Sequence, residues 1–309
     1  MEARPHFSLS LLHPRYWLTW LWLTLWRLLV LLLPYRVQLW LGRSLGGLLA
    51  KAVPRRRKIA ARNLELCFPE LSAEQREELL NKHYQSVGIA TFETGIAWWW
   101  PNWRFQKLLQ FEGLEHIEQL NGRGALLMAL HFTNLEIGAS AMSTRVCMDG
   151  MYRPNNNPVF DYVQRRGRER RVEGGRVYPR KDVRGVLRAL KEGRILWYAP
   201  DQDYGPQQSI FAPLFGHQAA TVVATGRLAG KSGAAVVPYT HFRREDGRGY
   251  IVRIYPPLEQ FPSGDDLQDV TRINGLVEDY IRQCPDQYLW VHRRFKTRPD
   301  GEASLYDSP

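Results

Sequence analysis

The stretch that most constrains this chain is Ala125 to Leu130, six apolar residues in a row, opened by Gly124 and closed by His131. A short continuous apolar run bounded by glycine reads as a strand buried on both faces, the kind found inside parallel sheets. Open α/β sheets keep their ligands beyond the carboxyl ends of such strands, so the His131 imidazole should emerge at a functional edge. Thr133 or Asn134 can cap a new helix, and a strand-to-helix turn there would bring the Glu136 carboxylate toward the imidazole. Histidine titrates near neutrality, and a neighbouring carboxylate fixes its tautomer and stabilises its protonated form. A histidine followed five residues later by glutamate also recurs by chance, and a hydrogen-bonded structural histidine is the alternative. The buried strand before it favours a base, His131, with Glu136 as its orienter. No serine or cysteine occupies a nucleophile elbow here, so the nucleophile is expected to be a hydroxyl of the substrate.

The rest of the chain supplies further strand ends. Val146 to Tyr152 reads as a strand that delivers Arg153 to a turn, where its fork can meet a phosphate or a developing oxyanion. The helix predicted over Asp161 to Arg171 carries Arg165, Arg166, Arg168, Arg170 and Arg171, which cannot all face one site, so most are expected to be solvated or to bind anions diffusely. After a helix over Lys181 to Lys191, the buried strand Arg194 to Ala199 ends at Pro200-Asp201-Gln202-Asp203. Two carboxylates one residue apart invite a metal, but without further ligands the signal is weak. Asp201 and Asp203 are instead expected to orient the site's basic residues or to bond a sugar, and no metal is expected. Ala219 to Leu228 reads as a helix of small residues, Ala234 to Thr240 as a strand, Gly249 to Tyr255 as an alternating edge strand, and Asp265 to Cys284 as a helix. Beyond it, the basic-aromatic segment Leu289 to Lys296 is a candidate phosphate or lipid contact. Strands alternating with helices predict an α/β fold with a mainly parallel central sheet flanked by helices.

Upstream, Ser72 and Gln75 form a capping box for a helix running to about Gly88, and a second helical stretch leads to Trp98-Trp99-Trp100. Those tryptophans suit a bilayer surface, an acyl groove or the core. Tyr16 to Leu33 is almost entirely apolar and just long enough for a membrane anchor, since a span needs about 20 residues and at least roughly 17. Arg27 within it could snorkel, lie against other protein or mark an interfacial helix, and the single anchor helix is the preferred reading. The chain thus divides into an N-terminal segment and anchor helix, residues 1–35, and a catalytic domain, residues 36–309. Arg36, Arg43, Lys51 and the Arg55 to Lys58 cluster follow the apolar segment while only Arg4 and Arg15 precede it, which places the bulk of the chain on the cytoplasmic side. Lys and Arg number 42 against 31 Asp and Glu, a net charge of +11. Such a surface suits anionic partners, yet no nucleic-acid-binding motif accompanies it. Three widely spaced cysteines fit neither a disulfide framework nor a zinc cluster.

The segments LLHPRYWLTW (11–20), RNLELCFPE (62–70), HFTNLE (131–136), YRPNNNP (152–158), WYAPDQDYG (197–205) and HRRFKTRP (292–299) together resemble the late acyltransferases of lipid A biosynthesis, within the lysophospholipid acyltransferase superfamily. The resemblance covers nearly the whole chain. It implies an inner-membrane enzyme, in contact with membrane phospholipid and without a cofactor. The implied reaction moves a fatty acyl chain, lauroyl foremost, from acyl carrier protein to a hydroxyl of a 3-hydroxyacyl chain on the lipid A precursor Kdo2-lipid IVA. Myristoyl and palmitoleoyl donors stay open. By family position Arg168 is singled out among the arginines. A lysophospholipid acyltransferase is the alternative, but the Phe-Pro-Glu-Gly block usual there is missing, and Trp197-Tyr198-Ala199-Pro200-Asp201 stands instead. A non-enzymatic lipid-binding protein is the third reading.

Overall fold

The computed structural model describes residues 6–306, so Arg4 lies outside the described residues. In chain order the elements are α1 (Trp17–Leu32), α2 (Tyr35–Ala52), α3 (Pro54–Cys67), α4 (Ala73–Trp99), α5 (Asn102–Phe105), β1 (Leu109–Glu112), α6 (Glu115–Glu118), β2 (Ala125–Met128), α7 (Leu135–Met142), β3 (Met148–Tyr152), α8 (Pro158–Arg168), β4 (Val177–Pro179), α9 (Val183–Lys191), β5 (Ile195–Tyr198), β6 (Ser209–Leu214), β7 (His217–Val222), α10 (Ala224–Ser232), β8 (Ala235–Arg243), β9 (Tyr250–Ile254) and α11 (Asp266–Gln283). Seven strands form one sheet in the order β1-β9-β8-β2-β5-β3-β4. Every neighbouring pair is parallel except β8 with β9. The mainly parallel sheet flanked by helices is therefore present, with the Ala125 run at its centre.

Alternation along β2 divides the core. Leu126, Met128 and Leu130 join one apolar cluster, while Ala125, Leu127 and Ala129 join the other. Side chains of successive strand residues point to opposite faces, so a run buried throughout needs helices on both sides of the sheet. Leu23, Trp26 and Val30 of α1 belong to the same buried cluster as Ala125 and Leu127.

Three element predictions are corrected. The two helical stretches expected before Trp98 are one 27-residue helix, α4, opened by the capping box at Ser72 and Gln75. Gly88 is no terminus: a Cβ there would collide with the backbone of Gly42 and Gly46, so its bareness lets α2 cross α4 closely. The small residues read as a helix from Ala219 begin as strand β7, paired with β6 through a two-residue turn, Phe215-Gly216, whose φ angles are both positive, 49° and 75°. Such a turn matches the strand twist and overrides the helix preference of alanine. Finally β9 is not an edge, because β1 pairs outside it. Its alternation reports one face less covered than the other, which an internal strand also shows.

Among the described residues no helix is long and apolar enough to cross a membrane. Helix α1 has 16 residues, about 24 Å at 1.5 Å per residue, against a hydrocarbon core of roughly 30 Å. Its outer face nonetheless leaves Leu18, Leu21, Trp22, Leu25, Leu29 and Leu32 exposed.

Candidate active site

Strand register builds the centre of the site. Met128 of β2 stands opposite Tyr198 of β5 and Pro238 of β8. Three residues further along each strand come His131, Asp201 and His241, which the parallel register delivers side by side. Asp201 holds His131 with both oxygens: the His131 N–H donates to Oδ2 at 2.9 Å, and Nδ1 donates to Oδ1 at 2.7 Å. A carboxylate only accepts, so the proton sits on Nδ1 and the Nε2 lone pair is left for a substrate. The Asp201 side chain is fully buried, whereas that of His131 retains 19% exposure, enough for access. Burial by itself would lower the His131 pKa, but the charge of Asp201 and its hydrogen bond outweigh burial and hold it above the ordinary value. The Asp201 carboxyl is held below its ordinary value, because the His131 charge and hydrogen bond outweigh its own burial. His241 is neutral, its pKa pushed down to about 3 chiefly by burial, and its Nδ1 donates to Asn134 Oδ1 at 2.9 Å.

Glu136 has a different partner from the expected one. Arg168 Nε donates to its two oxygens at 3.0 and 3.2 Å, Arg168 Nη2 bonds Oε1 as well, and the Trp98 indole N–H donates to Oε2 at 2.9 Å. The carboxylate on the imidazole is thus Asp201, while the first turn of α7 carries Glu136 to α8. Asn134 occupies the cap position of α7, but its side chain is engaged by His241 and makes no capping bond. Leu135, Glu136, Ala139, Met148, Arg168 and Trp197 belong to the wall of a cavity of about 160 Å³. His131 stands outside that wall. A second cleft of about 380 Å³ includes Leu49, Val53, Val87, Gln202 and Leu289 in its lining. Gln202 follows Asp201 in the chain, and the Leu289 N–H donates to the His131 carbonyl at 3.0 Å.

A mostly buried imidazole with one open side, held by a buried carboxylate and with apolar clefts on neighbouring residues, is the equipment for activating a hydroxyl beside an acyl chain. The family described as bacterial lipid A biosynthesis acyltransferase matches residues 4–297. The chain belongs to that family. It is 47% identical to the lipid A biosynthesis lauroyltransferase of Escherichia coli strain K12, over 99% of this chain and 100% of that one. It is 44% identical to the palmitoleoyltransferase of the same strain, over 97% and 98% of the two chains, and 33% identical to its myristoyltransferase, over 99% and 95%. The protein is an acyltransferase of lipid A biosynthesis with a lipid A precursor as acceptor.

The acyltransferase disposes of the other expected residues as follows. Arg153 is exposed at the end of β3. Asp203 is buried and ties down the C-terminal segment: Thr297 N–H and hydroxyl donate to it, each at 2.9 Å, and Gly205 N–H at 2.8 Å. In that segment Arg294 is buried against the Ala220 carbonyl and Thr221 hydroxyl, each at 2.8 Å, so it is not a surface phosphate contact. His292 accepts from the Asp203 N–H at 3.2 Å, and burial first, then nearby Lys296 and Arg294, push its pKa down to about 4. Most of the arginines expected in solvent are engaged. Arg165 pairs with Glu169 at 3.2 Å, and Arg170 and Arg171 donate to carbonyls at the C-terminal end of α4. The tryptophans separate: Trp98 and Trp100 are buried, and Trp100 donates to the Val30 carbonyl at 2.8 Å.

One group went unread in the sequence. Arg243, at the end of β8, donates to both oxygens of Glu93 at 2.7 and 2.8 Å and to the Ser86 hydroxyl at 3.0 Å. Ser86 in turn bonds the Thr133 hydroxyl at 2.9 Å, two residues from His131. The signal was a lone carboxylate, Glu93, among apolar residues of a long helix, seven positions after Ser86 and so on the same face.

Proposed function

We propose that the protein transfers a lauroyl chain from acyl carrier protein to the hydroxyl of a 3-hydroxyacyl chain on the lipid A precursor, with His131 as general base. The bidentate grip of Asp201 on His131 carries this reading, because it fixes the tautomer that leaves Nε2 basic. His131 Nε2 takes the hydroxyl proton as that oxygen bonds to the thioester carbonyl carbon. The carbon–sulfur bond then breaks and the leaving thiolate takes the proton from the imidazolium. No acyl-enzyme is needed. Asp201 positions the base, and the Glu136–Arg168 pair borders the cleft that receives an acyl chain, so both act through geometry. The lauroyl donor is favoured by the higher identity to the lauroyltransferase than to the palmitoleoyl and myristoyl enzymes. Purified protein offered lauroyl, myristoyl and palmitoleoyl carrier proteins in competition, with the product weighed by mass spectrometry, should add lauroyl first. A preference for either other chain sinks the donor assignment, and transfer to a lysophospholipid instead sinks the acceptor.

The apolar outer face of α1 is the membrane seat in this reading. Helix α1, in the N-terminal segment 1–35, lies along the surface of the inner membrane, and the catalytic domain, 36–309, stays on the cytoplasmic side with its basic cluster at the phospholipid headgroups. Replacing Leu18, Leu21 and Leu25 with serine should release the protein from phospholipid vesicles; undiminished flotation with vesicles would remove α1 as the seat.

A further inference from the structure

A third cavity, of about 850 Å³, lies between α1, the C-terminal end of α4 and α8, and Trp20, Arg27, Trp99, Arg166 and Arg170 are in its wall. Trp98 stands between this cavity and the smaller one beside α7, since it lines the former while its N–H bonds Glu136, in the wall of the latter, at 2.9 Å. The chemistry of the wall is cationic and aromatic. Arg170 donates to the Trp99 carbonyl at 2.8 Å and Arg171 to the Trp100 carbonyl at 2.7 Å, at a helix end that favours cations without neutralising them. Arg27 and Arg166 are exposed and have no carboxylate partner among the described residues. Against these four arginines the described residues of the wall set Glu169 and Glu173, and Glu169 is already paired with Arg165. Burial, and then the charge of Arg27, lower the basicity of Arg170.

Cations gathered in one concavity repel unless an anion joins them, and arginine forks match the geometry of phosphate oxygens. Trp20 and Trp99 offer flat apolar faces to the ring or stem that carries such a group. The cavity also has its level fixed. Trp20 and Arg27 project from α1, whose outer face is the apolar surface Leu18, Leu21, Leu25 and Leu29, so seating that face places the cavity at headgroup depth.

We propose that this cavity binds the phosphate of a lipid headgroup, either a phosphate on the acceptor glycolipid or that of a neighbouring anionic phospholipid. The proposal rests on the reading of α1 as membrane seat and of a lipid A precursor as acceptor. Its test uses the full chain carrying Arg27→Gln and Arg166→Gln together, with the Lys pair as the charge-retaining control. Two readouts are needed: KM and kcat on the acceptor with and without its phosphates, and binding to phosphatidylcholine vesicles with and without phosphatidylglycerol. If the acceptor phosphate is the ligand, the Gln pair raises KM about tenfold or more with kcat within about twofold, the dephosphorylated acceptor shows no such rise, and the Lys pair restores part of the affinity. If the phospholipid is the ligand, KM holds and the Gln pair instead loses affinity only for vesicles containing phosphatidylglycerol. Unchanged KM together with unchanged vesicle binding overturns the proposal, and so does an equal loss on both acceptors. Should the wild type fail to acylate any acceptor, the proposed reaction falls while the vesicle measurement still decides the cavity.

Discussion

Asp201 grips His131 and Glu93 grips Arg243 at the same edge of the sheet, each as a buried carboxylate bonded twice to a basic partner from β2 or β8. The partners make the difference. Arg243 is buried, permanently charged and bonded on to Ser86 and, through its backbone, to Gln287, so the pair is closed off from substrate and solvent. His131 keeps an exposed face, can take up and release a proton, and has one nitrogen unengaged among the described residues. One pair is complete and holds α4 to the sheet; the other is left open on one side, and chemistry needs that opening. The Ser86–Thr133 bond links them, so the buried pair braces the turn that carries the base.

Removing the imidazole tests the open pair most directly. His131→Ala should lower kcat by about two to four orders of magnitude, the contribution a positioned general base makes, while the protein remains folded with a lowered thermal midpoint, because Asp201 is left buried without the imidazole. Near wild-type turnover by protein freed of host enzyme would remove His131 as the base. Trapping an acyl group on the protein would replace direct transfer by a two-step route.

Arg243→Met inverts that pattern. It leaves Glu93 buried without its counter-charge and should cost about 3–5 kcal/mol of stability in denaturant titration, and Glu93→Leu added to it should recover part of the loss. A stable Arg243→Met protein with its activity gone would mean that Arg243 takes part in the reaction and the contrast drawn here is wrong.

Asp201→Asn lies between the two. Loss of the carboxylate loosens the tautomer that frees Nε2, so kcat should fall about a hundredfold to a thousandfold. The pH profile gives the sign. His131 works as a base only when neutral, so activity is lost as pH falls through its raised pKa. Without Asp201 the opposing effect of burial remains and the pKa drops, so the residual activity should show its acid limb at lower pH. A limb that stays in place would assign the raised pKa to something other than Asp201.

The sequence displayed the parts of this site but not their assembly. The buried run ending at His131, the strand ending at Asp201 and the arginines of α8 are each visible along the chain, because strand and helix periods and turn residues are local properties. Which carboxylate meets the imidazole is decided by register between β2 and β5, 70 positions apart, and no local pattern encodes register. Nearness in the chain therefore favoured Glu136. The same limit hid Arg243, whose partner Glu93 lies 150 positions away, and it gave Ala219–Val222 to a helix, since a hairpin turn outweighed composition. Asp203 and Arg294 looked functional for the opposite reason: polar residues at strand ends and in basic clusters signal sites, but here they fasten the C-terminal segment.

Glu136→Gln is the smallest of the expected effects and separates the two carboxylates near the base most cleanly. The amide keeps the shape and can still accept from Trp98, but Arg168 loses its anion; that arginine side chain is 42% exposed, so water makes up much of the loss. A charged hydrogen bond contributes about 1.5–3 kcal/mol, and each 1.36 kcal/mol is tenfold in rate, so a fall of about tenfold to a hundredfold is expected as the cleft wall loosens. The acid limb of the pH profile should stay where the wild type has it, because Glu136 is bonded to Arg168 and Trp98 and not to the imidazole. Arg168→Gln should give a similar fall, and the double variant should lose little more than either single one, since both remove the same pair. If Glu136→Gln instead carries the limb to lower pH as Asp201→Asn does, Glu136 is tuning His131 in the working enzyme, and the division of labour between the two carboxylates collapses into a shared one.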